Sequence, residues 1–279
     1  MVRPLLSHGP QRPFGLLAAA LAGLGLLAGV AVVVQQLRQQ APIELPARLR
    51  RGPAPPPQAA WVSPLQQLQC PRPDGALRQR LQRLQQRLPG QVRQLRIDPS
   101  NYGERFQRDA HGNPLDPRPS LVVLHETVYG LSSAVNTFLT HHPDDNDQVS
   151  YHVLIGEDGQ VVQALDPSKR AFGAGYSAFR GRWVITNPSM GGSVNNFALH
   201  ISLETPLDGE DDDLSHSGYS TAQYDALAVV LADWMRRYGI PVDAITTHRH
   251  VDLGLERADP RSFNWQALQQ RLAALGVIC

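Results

Sequence analysis

The segment Leu-Val-Val-Leu-His-Glu-Thr at residues 121–127 decides the fold class. Its first four residues are all apolar and follow closely behind Pro119, a pattern that predicts a short buried strand. The strand presents His125 at its carboxyl end. A sheet built on this strand therefore carries a chemically useful side chain at one edge.

The residues on both sides of this strand alternate between strand, loop and helix patterns from about residue 93 onward. The Asp-Gly pair at 158–159 predicts a hairpin turn. Ser220 and Gln223 predict a capping box at the start of a long helix. The predicted helices lie at 132–139, 220–238 and 264–275, and the predicted strands at 121–124, 151–155, 160–165, 197–204 and 244–247. This order predicts one α/β (α+β) domain with a central mixed β-sheet flanked by helices.

Residues 15–34 are the compositional outlier, because they are apolar and uncharged over about the length that crosses a bilayer. Arg3 and Arg12 precede them, so the positive-inside rule places residues 1–14 in the cytoplasm. A cleaved signal sequence is the alternative, but no clear cleavage site follows Val34. We expect a transmembrane anchor. Both interpretations place the rest of the chain in the cell envelope, either membrane-anchored in the periplasm or extracellular space, or exported after signal cleavage.

Three further regions follow the predicted anchor. Residues 35–74 form a Pro-rich linker, whose composition does not bury enough apolar surface to fold and predicts an extended or disordered spacer. Residues 75–92 contain a short amphipathic helix with leucines at helical spacing, namely Leu77, Leu81, Leu84 and Leu88. Residues 93–279 form the globular domain.

Charge and cysteine content bound the partners and the compartment. The net charge is +1, which gives no electrostatic basis for a nucleic-acid partner. Cys70 and Cys279 are the two cysteines of the sequence, and they bracket the predicted domain. In an exported protein this arrangement predicts a disulfide between the ends of the domain, with two unrelated thiols as the alternative.

A second stretch, Thr-His-Arg-His at residues 247–250, offers metal ligands to accompany His125. It supplies His248 and His250, and Asp259 follows directly before a proline. Two imidazoles and one carboxylate from separate elements match a catalytic zinc site with one open position. At the end of a strand, His248 and His250 point the same way, so both are candidate ligands.

Several segments, in this order, resemble the zinc-dependent N-acetylmuramoyl-L-alanine amidases of the type 2 amidase and peptidoglycan recognition protein superfamily. The segments are VVLHET, VSYHVLIGEDGQVVQAL, AFGAG, VNNFALHISLE, STAQYDALAVVLADW, and THRHVD with ADPRSFNW. The resemblance covers roughly residues 93–275. It implies a central mixed sheet, a groove that holds one zinc ion, and hydrolysis of the amide between N-acetylmuramic acid and L-alanine in peptidoglycan.

The resemblance also assigns the metal ligands. The first ligand of the family falls on His125, the second on His248, and the third, an Asp or Cys before a proline, on Asp259. His250 stands where the family usually has Asp, and it remains a rival ligand.

The catalytic partner is less direct, because Ser202 stands where part of the family has its general-base Glu. Glu204 lies two residues further on the same strand face. Tyr151 falls on the catalytic Tyr of the phage-type enzymes, and Arg257 on their Lys. Arg257 stays charged, so it stabilises an oxyanion or holds a substrate carboxylate. The proton acceptor stays open among Tyr151, Glu204 and the zinc-bound hydroxide with solvent.

Two other functions compete with this prediction. A non-catalytic peptidoglycan-binding recognition module commonly lacks the third ligand, and the presence of Asp259 therefore favours the enzyme. A zinc peptidase acting on a bond of the stem peptide would use the same metal site on another amide.

Overall fold

The computed structural model describes residues 52–67, 74–211 and 213–278. The predicted anchor or signal sequence at 15–34 lies outside these residues, as do Cys70 and Cys279. None of the helices in the described ranges is both long enough and apolar enough to span a bilayer.

The centre of the fold is a six-stranded mixed sheet in the order β1-β5-β4-β7-β3-β8. The β4–β5 pair is antiparallel, whereas the other neighbours are parallel, which confirms the predicted mixed sheet. The strands are β1 Arg93–Gln94, β2 Tyr102–Glu104, β3 Leu121–Glu126, β4 Val153–Ile155, β5 Val161–Gln163, β6 Lys169–Ala171, β7 Ala198–Leu203 and β8 Ile245–Thr247, of which β2 and β6 form a separate antiparallel pair.

Helices cover both faces of this sheet. They are α1 Pro64–Gln67, α2 Gly75–Arg87, α3 Leu131–Leu139, α4 Thr221–Tyr238, α5 His248–Val251 and α6 Trp265–Ala274. Alternate residues of β4 join two separate apolar clusters, as the two-residue period of a strand requires. Val153 and Ile155 pack with α2, α4 and α6, whereas Leu154 packs with α3. Helix α2, which lies within the predicted segment 75–92, is therefore part of the domain core, and its Leu81 is fully buried.

Strand β3 is buried along its whole length and lies between β7 and β8. Its residue His125 pairs with Ser202 of β7, and Leu124 pairs with Thr247, the last residue of β8. Because parallel strands end at one edge of a sheet, the residues after β8 come close to His125. This register creates the functional edge of the domain.

The ends of α4 follow the local sequence signals. The Ser220 hydroxyl accepts from the Gln223 N–H, and the Gln223 side chain accepts from the Ser220 N–H, which confirms the predicted capping box. Gly239 ends the helix in the left-handed conformation, at φ 67°.

The segment after β8 differs from its prediction. Residues His248–Val251 form the single helical turn α5 rather than a continuation of the strand. The Thr247 hydroxyl accepts from the His250 N–H at 3.3 Å, which starts the turn. Two residues apart on a helix point roughly 200° away from each other. The expectation that His248 and His250 share a direction is therefore wrong.

Residues 52–67, which we call the docked segment, pack against the domain although they belong to the predicted linker. The centroid of the Trp61 ring lies 4.6 Å from that of the His250 ring and 6.1 Å from that of the Trp265 ring. Its indole N–H donates to the Asp243 carbonyl at 3.0 Å, and the Gln58 amide donates to the carbonyls of His250 and Val251. The prediction of a spacer that buries no apolar surface is wrong for these residues. It rested on the average composition of the segment, whereas one residue, Trp61, supplies the apolar contact.

We expect Trp61→Ala to lower the free energy of unfolding by about 2–3 kcal/mol, less than the roughly 3–5 kcal/mol of a fully buried aromatic residue. The change removes the contacts with His250 and Trp265 and one hydrogen bond. Denaturant unfolding measures it. Val62→Ala is the control, since Val62 is 58% exposed and should change stability by less than about 0.5 kcal/mol. Equal stability of both variants would show that the segment does not dock.

Candidate metal centre

Three ligand-type side chains converge at the carboxyl edge of the sheet. His125 comes from the end of β3, His248 opens α5, and Asp259 lies on the loop that follows. The Asp259 carboxylate lies 3.0 Å from His248 Nδ1 and 3.3 Å from His125 Nδ1. One ligand atom from each residue falls within 4.8 Å of the others, which is the arrangement of a site for a single metal ion.

The charge states at this cluster suit metal binding. Burial lowers the pKa of His125 to about 4, an effect that its contact with Asp259 only partly offsets. Burial tends to raise the pKa of Asp259, but the close approach of the His125 and His248 rings outweighs it and holds this pKa below its usual value. A neutral imidazole and an ionised carboxylate are the forms that bind a metal.

A buried polar atom without a partner indicates what the cluster accommodates. His125 is fully buried, and its Nδ1 forms no hydrogen bond despite the 3.3 Å approach of the Asp259 carboxylate. Buried ring nitrogens are normally hydrogen-bonded. A metal ion between the imidazole nitrogens and the carboxylate would satisfy this atom, so the donor set fits zinc.

The comparison with known families decides what this cluster belongs to. Residues 115–262, more than half of the chain, match the family model described as N-acetylmuramoyl-L-alanine amidase. The chain belongs to this family. Membership makes it an amidase, as the sequence motifs predicted.

Individual amidases extend the match. The 1,6-anhydro-N-acetylmuramyl-L-alanine amidase AmpD of Enterobacter cloacae is 34% identical over 175 residues, which cover 57% of this chain and 83% of AmpD. The AmpD of Citrobacter freundii is 32% identical over 168 residues, covering 54% of this chain and 80% of that protein. A crystal structure of a selenomethionine derivative of AmpD superimposes with a TM-score of 0.50 at 26% identity, over 65% of this chain and 94% of the other. These amidases therefore share the fold of the catalytic domain.

Tyr151 lies against His125, a candidate ligand of the cluster. Its ring stacks on the His125 ring, with the centroids 4.3 Å apart and the planes at 22°. Phe138 contacts the tyrosine ring edge-on from α3. Burial, and next the negative charge of Asp259, raise the pKa of Tyr151 well above its usual value. Its phenol is therefore a hydrogen-bond donor.

Arg257 lies at the exposed rim of the site, two residues before Asp259. Its backbone N–H donates to the Asp252 carboxylate at 2.9 Å, and this bond anchors the loop. Burial is the main cause of the lowered pKa of His125, and the positive charge of Arg257 lowers it further. The same charge acts against the rise in the pKa of Tyr151 that burial causes. The guanidinium is thus within electrostatic reach of the cluster.

His250, the rival ligand, lies on the other side of α5. Its ring packs against Trp61 at 4.6 Å and Phe179 at 6.2 Å. The metal-type cluster found among the described residues consists of His125, His248 and Asp259 without it. His250 has a packing role that joins α5 to the docked segment.

Glu204, one of the predicted proton acceptors, is hydrogen-bonded to backbone groups away from the metal-type cluster. One carboxylate oxygen accepts the Leu131 N–H at 2.5 Å, at the start of α3, and the other accepts the Glu157 N–H at 2.8 Å. The N-cap residue of α3 is Gly130, which has no side chain to cap the helix, so the Glu204 carboxylate takes that role. Both oxygens are occupied by backbone donors rather than free to accept a proton from substrate.

We expect Glu204→Gln to retain turnover close to the wild-type value while losing about 1 kcal/mol of stability, because an amide accepts one of the two N–H groups and not the other. Steady-state kinetics and denaturant unfolding measure the two effects. Glu157→Gln, which alters an exposed carboxylate nearby, is the control and should change neither. A Glu204→Gln variant that folds normally but has lost most of its turnover would restore Glu204 as the proton acceptor.

Glu126 has a structural role, although the sequence did not indicate its partners. This buried carboxylate accepts from Arg261 Nε at 2.5 Å, from His216 at 3.1 Å and from the Tyr219 hydroxyl. Arg261 also donates to the carbonyls of Gly209 and of two aspartates in the same loop. Glu126, which follows His125, is therefore bonded to Arg261, which lies two residues after Asp259. Together Glu126 and Arg261 hold the described residues of the loop, 207–211 and 213–219. In the sequence, Arg261 has no feature that marks it as buried.

Proposed function

We propose that this amidase uses one zinc ion, held by His125, His248 and Asp259, to hydrolyse the amide between N-acetylmuramic acid and L-alanine. The observation that carries the proposal is the convergence of these three donors around an unpartnered buried nitrogen of His125. Membership in the amidase family defines the bond. The AmpD relatives are named for the same bond in a 1,6-anhydro substrate.

The donor set decides what the metal supplies. A zinc ion with two imidazole ligands, one carboxylate and an open position supplies a water of low pKa and polarises a bound carbonyl. The residues that would hold the ion already lie together: Asp259 contacts both imidazoles, and His125 lies in β3, which is buried along its whole length.

Tyr151 and Arg257 act on the charge that develops during hydrolysis. The phenol keeps its proton and donates a hydrogen bond to the oxyanion of the scissile carbonyl. Arg257 stays charged at any working pH, so it stabilises the same oxyanion or holds a substrate carboxylate. Support comes from the stacking of Tyr151 on His125 and from the electrostatic reach of Arg257. With both Glu204 oxygens engaged at α3, the proton lost by the attacking water would pass to solvent, and solvent would supply the proton that the departing amine of L-alanine takes up.

Tyr151→Phe should lower kcat roughly 10²-fold, the usual effect of removing one oxyanion donor. Zinc content should stay at the wild-type level, because the ring that stacks on His125 is retained. Kinetics with a muramoyl peptide and metal analysis of the same preparation provide the measurement. Wild-type turnover in the variant would remove Tyr151 from the mechanism.

A product assay tests the proposed bond. Purified protein is incubated with sacculi and, separately, with a 1,6-anhydro-muramoyl peptide, and the products are identified by mass spectrometry. We expect intact stem peptides that begin with L-alanine. Cleavage inside the stem peptide would instead favour the zinc peptidase, and zinc binding without any hydrolysis would favour the non-catalytic recognition module.

We further propose that residues 15–34 anchor the enzyme in the membrane, with its catalytic domain in the periplasm or outside the cell. The support is the apolar, uncharged character of this segment and the arginines before it. Membrane fractionation of the full chain and of a chain lacking residues 1–34 tests this. Recovery of the full chain, uncleaved, in the aqueous fraction would contradict the anchor.

A further inference from the structure

A third imidazole, His200 of β7, contacts the metal ligand His125 from behind. It is fully buried, and its Nδ1 lies 3.0 Å from His125 Nε2. The two rings are 5.2 Å apart and tilted by 39°. His200 is not among the ligand-type residues of the cluster, so this contact is an additional feature of the site.

The position of the protons on these rings follows from the cluster. His125 turns Nδ1 toward Asp259, and a nitrogen that binds a metal carries no proton. The proton of neutral His125 is then on Nε2, the atom that faces His200. His125 therefore donates, and His200 accepts at Nδ1. Ligand imidazoles commonly donate their second N–H to a fixed acceptor, which sets their orientation.

The surroundings of His200 hold its ring in the accepting position. Its backbone N–H donates to His152 Nδ1 at 3.0 Å, and the two imidazoles stack with their planes 5° apart. His152 Nε2 pairs with the Lys169 carbonyl at 3.2 Å, so the ring proton of His152 is on Nε2. His152 Nδ1 is then free to accept the backbone N–H of His200.

The space on the other side of His200 depends on Gly173. A Cβ at this position would lie 2.5 Å from His200 Nδ1 and 2.6 Å from its Cγ, closer than real Cβ atoms approach a ring. Any larger residue at position 173 would displace the acceptor atom itself. His152 and Gly173 thus place His200 Nδ1 within hydrogen-bond distance of the ligand.

We propose that His200 is a positioning residue that orients the ligand His125 by accepting its Nε2 proton. The proposal rests on the zinc site proposed above. It predicts that zinc affinity depends on an acceptor atom at this position and not on how well the space is filled.

Three substitutions separate these two effects. His200→Leu fills the space without an acceptor, whereas His200→Asn is smaller but places its amide oxygen near the position of Nδ1. We expect the Leu variant to bind zinc about 10–100-fold more weakly than the wild type, the range typical for loss of such a partner. The Asn variant should recover most of that affinity. His200→Ala, which lacks an acceptor and is closest in size to Asn, serves as the comparison if the Leu variant does not fold.

The readout is the zinc dissociation constant of the full chain, measured by competition with a chelator, with thermal unfolding as the test of folding. An Asn variant that binds zinc no more tightly than the Leu or Ala variant would overturn the proposal, as would wild-type affinity in the Leu variant. A wild-type chain that binds no zinc would instead contradict the proposed function, so the two failures are distinguishable.

Discussion

His125→Ala is expected to abolish zinc binding and to lower turnover at least about 10³-fold, because the metal contributes several kcal/mol to stabilisation of the transition state. The effect is large because His125 is fully buried and is one of the three proposed ligands, so its loss leaves His248 and Asp259 as a two-ligand set. Two protein ligands have a lower affinity for zinc than the three of a catalytic site, so zinc at the concentration that fills the wild-type site is not retained.

The domain itself should still fold in this variant, because the apolar residues of β3 and the helices that cover them are unchanged. Metal analysis and kinetics on the purified protein measure both effects. His141→Ala is the matched control, since the His141 side chain is 69% exposed and contacts Asp98 rather than the cluster. Stoichiometric zinc in a folded His125→Ala chain would show that the ligands have been assigned wrongly.

Glu126→Ala has the second large effect, on stability. Removing one partner of a buried ion pair costs about 3–5 kcal/mol, because the other charge remains buried without compensation. Glu126 and Arg261 fit this case, with side-chain exposures of 6% and 10%. The same change also removes the acceptor for His216 and Tyr219, so the loop at 207–219 should lose its attachment to β3.

Denaturant unfolding of the wild type and the variant measures this loss. Glu104→Ala is the matched control, since Glu104 pairs with Lys169 but is 76% exposed. An exposed pair contributes less than about 1 kcal/mol. Equal effects of the two substitutions would mean that Glu126 is solvated and that Arg261 does not depend on it.

The fold and the ligand set could be predicted because their signals are local. The apolar run of β3, the capping box at Ser220 and the glycine that ends α4 each act within a few residues. His248 and Asp259 were identified through the resemblance to the amidase family, and Asp259 also stands directly before a proline. Such patterns indicate which side chains reach the carboxyl edge of the sheet.

The remaining features depend on residues that are distant in sequence. Glu204 lies on the same strand face as the catalytic Glu position of the family, but it accepts the Leu131 N–H at the start of α3. His250 has the spacing of a ligand, but Thr247 begins a helical turn that rotates it toward Trp61. His200 has no local feature in the sequence that marks it, because its proposed role depends on its contacts with Gly173 and His125. Pairings between segments decide all three cases.

The central claim is that three residues of this amidase hold one zinc ion that serves hydrolysis of the muramoyl–alanine amide. Its most direct test is metal analysis of the purified wild type and of Asp259→Ala, in parallel with the release of L-alanyl peptides from sacculi. We predict about one zinc per chain together with peptide release for the wild type, and neither for the variant. Peptide release by a wild-type chain that holds no divalent metal would contradict the claim.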